Sequence, residues 1–317
     1  MGAAMFALAG AAHAQTVEEK IVETLDTLSG GPHEGYRANH AKGVVARGTF
    51  EPTAEAAAIS KAAHFAAEVP VLVRFSNGTG VPDLPDTSPA ASPHGMAIRF
   101  ELGQDDYTDI VAISYNGFPV ATPEDFLGLL SAVAASGPDA PEPKPIAKFL
   151  DSHPAAKTFA TAPKPAPVSF ATLPFYGVNA FAFANAAGET VHGRYQILPT
   201  AGDQRLTEAE TAEKGPDYLM EELPARLTEG PVSFRLALQI AQDGDSLTDP
   251  TQVWPDGRRV VELGTITLDQ AVADSYAVAK PIMFDPLALT DGIDATDDPV
   301  LLARPGAYAI SYSRRAE

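Results

Sequence analysis

Val17, Ile21, Leu25 and Leu28 recur at helical spacing behind Thr16-Val17-Glu18-Glu19, which has the form of a capping box, and Gly30-Gly31 closes the run. This predicts an amphipathic N-terminal helix without chemistry of its own. The period then shortens to two, the spacing of a strand that buries one face. Runs of this kind at residues 46–51, 71–76, 93–100, 109–115, 232–240 and 259–268 predict strands. Residues 176–183 and 191–197 alternate on either side of a turn at 185–189, which predicts a hairpin.

Helical patterns fall between the strands. An alanine-rich segment at 53–67 has Thr53 as its cap and Lys61 facing outward. Thr122 caps a second helix, with Pro123 in the first turn and Phe126, Leu127, Leu129, Leu130 and Val133 on its buried face. Residues 206–227 are acidic and helix-like, and short helices are expected near 146–149 and 269–277. Residues 77–93 form a loop rich in Gly, Pro and Asp. The proline-dense stretch 138–167 reads as a wrapping segment rather than a linker, because Phe149, Phe159 and Phe170 need cover. No domain boundary is drawn there. The single tryptophan, Trp254, is expected to plug a barrel or a loop.

Composition narrows the chemistry. With 317 residues and 45% hydrophobic content, a sizeable core is available. The formal charge of −19 argues against a nucleic-acid partner, whose binding needs basic surface. The absence of cysteine removes disulfides, zinc–thiolate sites, iron–sulfur clusters and thiol peroxidase chemistry, so any peroxide reduction here requires a metal or cofactor. Residues 3–12 are a short apolar run ending in Ala12-His13-Ala14, small residues that suit a signal peptidase, although a basic n-region is missing. The run is too short to span a bilayer. A signal segment at residues 1–14, one domain over 15–317, a periplasmic location and no membrane association after processing are therefore expected.

Two stretches could carry chemistry. Arg304 precedes Tyr308 by four residues, which stacks both side chains on one helix face. A phenolate can ligate ferric haem, and a guanidinium against its oxygen suits the ionised form; otherwise this is a core tyrosine covered by an arginine. His40 opens a strand-like run and is either a satisfied structural residue or a base able to move one proton across a peroxide.

The run Phe284-Asp285-Pro286, Gly292-Ile293-Asp294, Asp298-Pro299 and Leu301-Leu302-Ala303-Arg304 up to Tyr308 resembles the proximal haem segment of the catalase family. It is most similar to the small catalase-related peroxidases, which keep the haem barrel and lack large C-terminal extensions. Arg37, three residues before His40-Ala41-Lys42-Gly43, matches the family's distal strand, and Val73-Arg74-Phe75-Ser76 and Val253-Trp254-Pro255 match two further elements. The likeness runs in order from about Gly35 to Arg315. It implies an α+β fold: an antiparallel β-barrel with helices outside and haem, expected as haem b with its iron, between the barrel and the C-terminal helix.

The resemblance also implies roles. Tyr308 is the iron ligand and Arg304 its stabiliser; His40 is the distal base, with Ser76 hydrogen-bonded to it; Arg37, Arg74 and Arg315 meet the propionates; Phe126 walls the haem. There are departures. His94 stands where an Arg is usual and receives no role, and Tyr312 and Ser313 replace the usual His and Arg. The family reads Asn-Asn-Thr-Pro where this chain has Asn116-Gly117-Phe118-Pro119, so Asn116, a candidate catalytic residue, stands one place early and could equally cap a turn. That departure favours peroxidase activity over efficient dismutation of hydrogen peroxide.

The function implied is a haem-dependent peroxidase that reduces organic peroxides, hydrogen peroxide or both through an oxoferryl intermediate, in oxidative-stress defence, using an unidentified small reducing donor. Weak catalase or hydroperoxide lyase activity is the alternative in the same class. An exported haem-binding or scavenging protein is the non-enzymatic one, and His40 with Ser76 weighs against it, because a carrier needs no proton shuttle. The oligomeric state does not follow from the sequence.

Overall fold

The computed structural model describes residues 14–316. The expected signal segment, apart from Ala14, lies outside the described residues. In chain order the elements are α1 (Val17–Leu28), β1 (Gly43–Pro52), α2 (Ala54–Ile59), β2 (Val69–Ser76), β3 (Gly95–Gly103) and β4 (Asp106–Ile113). Then come α3 (Pro123–Ala134), α4 (Pro145–Ser152), α5 (Pro154–Thr161), β5 (Phe175–Tyr176), β6 (Phe181–Ala184) and β7 (Thr190–Pro199). The chain ends with α6 (Glu208–Ala212), α7 (Tyr218–Glu229), β8 (Val232–Ile240), β9 (Val260–Ala271), α8 (Ser275–Ala279), β10 (Ile293–Ala295) and α9 (Pro299–Ala316). Among the described residues no helix is long and apolar enough to cross a membrane.

The strands β1-β2-β3-β4-β5-β7-β8-β9 pair antiparallel in that order, and β9 returns to β1. Closure gives an eight-strand barrel and leaves it no open edge. Outside the ring, β6 pairs with β7 and β10 with β6. The α+β barrel expected from the sequence is the fold observed.

The barrel interior is filled. Phe50, Phe75, Phe100, Phe175 and Phe234 are wholly buried in one apolar cluster. A 3₁₀ turn at Ala63–Phe65 adds the rings of His64 and Phe65, which lie against Phe50 and Phe100. A small barrel packed with side chains has no room for a large ligand, so a cofactor must lie outside its wall.

Alternation puts a second set of residues on that outer wall. Across β1 to β4, one register row reads Val45, Arg74, Ala97, Val111. The next reads Gly43, Ser76, Gly95, Ile113 and continues to Tyr176 in β5. These rows are small or apolar except for Arg74 and Ser76, which makes them the floor of a site.

Several expected elements differ in extent. The helix over 53–67 ends at Ile59, because Ser60 Oγ donates to the Gly292 carbonyl at 2.7 Å and accepts from Ala62 N–H at 3.1 Å, tying the chain to a distant turn. The acidic segment splits into α6 and α7 around Gly215-Pro216. The strand over 176–183 is interrupted between β5 and β6, where Asn179 turns into the interior. Val133, expected on the buried face of α3, is exposed, because that helix packs on α1 and α4 rather than on the barrel. Trp254 fastens a loop: its indole N–H donates to Ser246 O at 3.1 Å and the Arg194 guanidinium lies 4.3 Å above its ring.

Candidate active site

A cavity of about 240 Å³ lies against the outer wall of β2, β3 and β4, roofed by α1, α3 and α9. Ile21, Val22 and Leu25 of α1, Phe118 and Phe126 around the start of α3, and Met283 and Phe284 give it apolar walls. Its polar lining comes from both ends of the chain: Arg37, Asn39, His40, Arg74 and Ser76 on one side, Asn179, Arg304, Tyr308, Ser311 and Arg315 on the other.

The helix α9 carries the second group. Asp298 caps it, accepting from Val300 N–H at 2.9 Å and Leu301 N–H at 3.2 Å, with Pro299 in the first turn. One helical turn separates Arg304 from Tyr308. Nε and Nη2 of Arg304 both donate to the Tyr308 hydroxyl, at 3.1 and 2.9 Å, while Nη1 donates to Asn179 Oδ1 at 2.7 Å. Asn179 in turn donates to Asp298 Oδ2 at 2.7 Å. The chain Asp298–Asn179–Arg304–Tyr308 locks the guanidinium plane against the phenol oxygen. Burial pushes the Asp298 carboxyl above its ordinary range, and the hydrogen bonds from Asn179, Leu301 and Val300 oppose that shift.

Across the cavity, His40 has a backbone φ of 56°, the left-handed region that L residues rarely adopt. The strain is held by Arg74, whose Nη2 donates to His40 O at 2.8 Å and Ala41 O at 3.0 Å. Ser76 Oγ lies 3.1 Å from His40 Nδ1, which leaves Nε2 without a partner among the described residues. Gly95 makes this approach possible, because a Cβ there would stand 2.7 Å from Ser76 Oγ and 2.8 Å from His40 Nδ1. Burial, with the charges of Arg74, Arg304 and Arg37, lowers His40 to about 4, against a hydrogen bond to the Asn77 backbone. The ring is therefore neutral at pH 7 and can accept a proton.

Arg37, Arg74 and Arg315 form an uncompensated cluster. Arg37 donates to Ala279 O and Ile282 O at 2.8 and 2.9 Å; Arg315 donates to Lys280 O and Ile282 O at 3.1 and 2.7 Å. None of the three has an ion-pair partner among the described residues, although the chain is strongly acidic. Burial lowers Arg74 to about 9 and Arg315 to about 10, and Arg37 falls well below its ordinary range through burial and then the charges of Arg74 and Arg315. Gly43 leaves space for this packing, since a Cβ there would stand 2.6 Å from Arg74 Nη2. Cations gathered in this way suit an anionic ligand with more than one carboxylate.

The family model described as Catalase matches residues 33–316, nearly the whole described chain. The chain belongs to the catalase family. Among curated proteins it is similar to a catalase-related peroxidase of Synechococcus elongatus, 35% identical over 92% of this chain and 88% of that protein. Another catalase-related peroxidase, from Mycolicibacterium paratuberculosis, is 37% identical over 90% of this chain and 91% of that one. Among solved structures, catalase A of Saccharomyces cerevisiae superposes with a TM-score of 0.78 at 23% identity, covering 88% of this chain and 61% of that one. At that identity the likeness concerns the fold, and this chain spans about three-fifths of the larger catalase.

Of the residues singled out from the sequence, His40, Ser76, Arg37, Arg74, Phe126, Arg304, Arg315 and Tyr308 all line the cavity. Asn116 does not; Phe118, two residues on, takes the place on the wall that faces it. His94 is buried outside the cavity, its ring edge-on to Phe170. Lys42, part of the matched distal motif, is a bolt: its Nζ pairs with Asp86 at 2.8 Å and Asp217 at 2.6 Å, holding the long loop before β3 against the start of α7. Asn179 and Asp298 were missed as site residues. Asp298-Pro299 ahead of an apolar run carried a helix-start signal that marks a cap, and Asn179 was a polar residue at a buried position in an otherwise apolar stretch.

Proposed function

We propose that this member of the catalase family is a haem peroxidase that reduces organic peroxides, hydrogen peroxide or both. The observation carrying the reading is the opposition, in one cavity, of a phenol gripped by a guanidinium and a neutral imidazole, beside three arginines that have no carboxylate partner among the described residues. That donor set fits haem: Tyr308 would ligate the iron as phenolate, and Arg37, Arg74 and Arg315 would hold the two propionates. Phe118, Phe126 and the α1 residues supply apolar cover for the macrocycle. Bound haem supplies the redox chemistry that the side chains of this cysteine-free chain lack.

The chain's own residues handle the protons. His40 Nε2 takes the proton from a bound hydroperoxide and returns it to the departing oxygen as water or alcohol. Ser76 fixes the ring's orientation through Nδ1. The double hydrogen bond from Arg304 holds the Tyr308 oxygen in a fixed position at the cavity. Asn116 does not line the cavity, and apolar side chains form much of its wall, which supports organic peroxides as substrates and peroxidase rather than efficient catalase turnover. A small organic reductant closes the cycle, and the apolar run ending at Ala14 supports export to the periplasm.

The test is an absorption spectrum of the haem-loaded protein before and after cumene hydroperoxide, then hydrogen peroxide, each with a phenolic reductant. Spectral conversion and return on reductant is the expected result, and vigorous oxygen release would promote the catalase alternative. Replacing His40 by Phe separates enzyme from carrier: an enzyme loses turnover and keeps haem. If haem is not retained and Tyr308→Phe changes nothing, the reading fails.

A further inference from the structure

The three helices that roof the cavity are not held alike. α9 is tied to the body of the protein along its length. Asp298 at its start accepts from Asn179 at 2.7 Å, Ser311 accepts from Ala38 N–H at 3.1 Å, and Arg315 donates to the Lys280 and Ile282 carbonyls. α3 is backed by α4, whose Ile146 N–H donates to Ser136 Oγ just beyond the end of α3 at 2.9 Å. α1 packs on α3 and α9 rather than on the barrel strands. Among the described residues, the polar ties of its side chains to other elements all run to Arg314 of α9, which pairs with Asp26 and lies 3.9 Å from Glu23.

This lightly held helix nevertheless closes the site. Ile21 and Val22 on its inner face line the cavity and are only 5% and 1% exposed, with Leu25 beside them. α1 then gives onto Gly30-Gly31. Both have positive φ, 85° and 123°, and a Cβ on either would meet no atom within 4 Å. Two consecutive glycines in open space can change φ and ψ without collision. The chain stiffens directly afterwards. The Tyr276 hydroxyl fills the space that a side chain at Gly35 would need, Arg37 donates to the Ala279 and Ile282 carbonyls, and Ala38 is bonded to Ser311.

Haem is a flat, rigid macrocycle, and a cavity roofed in this way must open to take it in. Moving α9 would break the Asp298–Asn179–Arg304 chain and unseat Arg315. Parting the barrel wall would break ladder hydrogen bonds. Lifting α1 breaks one partly exposed ion-pair cluster, an interaction of small worth. It also uncovers Ile21, Val22 and Leu25, whose exposure drives the helix back to the closed position.

We propose that α1 is a lid, hinged at Gly30-Gly31 and latched by Arg314, that opens to admit and release haem. The proposal rests on the haem reading above.

The structure supplies a way to lock this lid. A Cβ at Gly306 of α9 would stand 3.8 Å from Glu18 Cβ of α1, inside the range of about 3.5–4.5 Å that a disulfide spans. The chain has no cysteine to compete. Haem uptake by haem-free protein is followed by absorbance for the unmodified protein, for Glu18→Cys/Gly306→Cys oxidised and then reduced with dithiothreitol, and for Arg314→Ala. Backbone hydrogen exchange of the haem-free proteins is read alongside. The oxidised lock is expected to slow uptake at least about tenfold, with reduction restoring it. Arg314→Ala should speed uptake about two- to fivefold. In unmodified haem-free protein α1 should exchange ahead of α9, and the lock should slow it. Equal uptake by oxidised and reduced protein, or α1 exchanging no faster than α9, would overturn the lid while the haem reading stands. Where the double variant misfolds, Arg314→Ala and the exchange order decide, and unchanged uptake by Arg314→Ala removes the latch. If no variant takes up haem, the haem reading itself fails and the lid falls with it.

Discussion

The Tyr308 hydroxyl accepts from two nitrogens of Arg304, Nε at 3.1 Å and Nη2 at 2.9 Å, so the fork of one guanidinium occupies the phenol oxygen from one side. Lysine has a single point of charge and cannot reproduce this plane. Arg304→Lys is expected to fold and to weaken haem binding by at least about tenfold, with a shifted absorption maximum of the bound haem. A haem titration followed by absorbance checks it; an unchanged maximum and affinity would show that the fork is ornamental.

Asn179 connects that fork to the helix cap, bonded to Arg304 on one side and Asp298 on the other. Asn179→Leu strands a guanidinium arm and a buried carboxylate together. Leaving such partners unsatisfied costs about 1–3 kcal/mol each, so the midpoint of urea unfolding of the haem-free protein should fall accordingly. A midpoint within error of the unmodified protein would mean that Asn179 bears none of this load.

Much of this site was legible in the chain because its parts carry local signals. Arg304 and Tyr308 share a helix face by spacing alone, and Arg74 and Ser76 share a strand face by alternation. What local spacing does not encode is closure across the chain. The Ser311 contact to Ala38 joins residues 273 positions apart, and the Asn179–Asp298 bond spans 119. Asn116 shows the limit in the other direction. A near-match in motif carried it into the candidate set, yet the loop turns so that Phe118 reaches the cavity instead. The helix expected at 53–67 shortened for the same reason, a tertiary hydrogen bond from Ser60 that the alanine-rich run does not announce.

The arginine cluster predicts a preference for free carboxylates. Haem and its dimethyl ester differ only in the charge of the two side chains that Arg37, Arg74 and Arg315 would meet. Unmodified protein should bind haem at least about tenfold more tightly than the ester. Arg37→Leu should narrow that ratio, whereas a ratio unaffected by the substitution would remove the cluster from cofactor recognition.

His40 sets the acid side of the pH profile. Its folded value is lowered to about 4, first by burial and then by Arg74, Arg304 and Arg37. Only the neutral ring accepts a proton, so kcat/KM is expected to fall as pH drops through that value. Propionates held by Arg37 and Arg74 would offset two of the lowering charges, so the limb of the haem-loaded enzyme is expected to lie higher than the charges of the free protein alone would place it. A profile flat down to pH 4 would contradict His40 as the base.

His64 predicts a second, structural pH dependence. Its ring is enclosed by Phe50, Phe65 and Phe100, and neither nitrogen has a hydrogen-bond partner among the described residues. Burial lowers it from 6.5 to about 3. Between those values the unfolded chain binds a proton that the folded chain refuses. The stability associated with the neutral ring is therefore complete above pH 6.5 and drains away as pH falls toward 3. From pH 7 to pH 5 the loss is about 2 kcal/mol for this residue. His64→Leu, of similar volume, removes both the orphaned nitrogens and the proton uptake. The variant should unfold at a higher urea concentration than the unmodified protein at pH 7, and its midpoint should shift less between pH 7 and pH 5. Equal shifts in the two proteins would show that the ring is already solvated in the native state, and that the barrel plug is looser than its packing indicates.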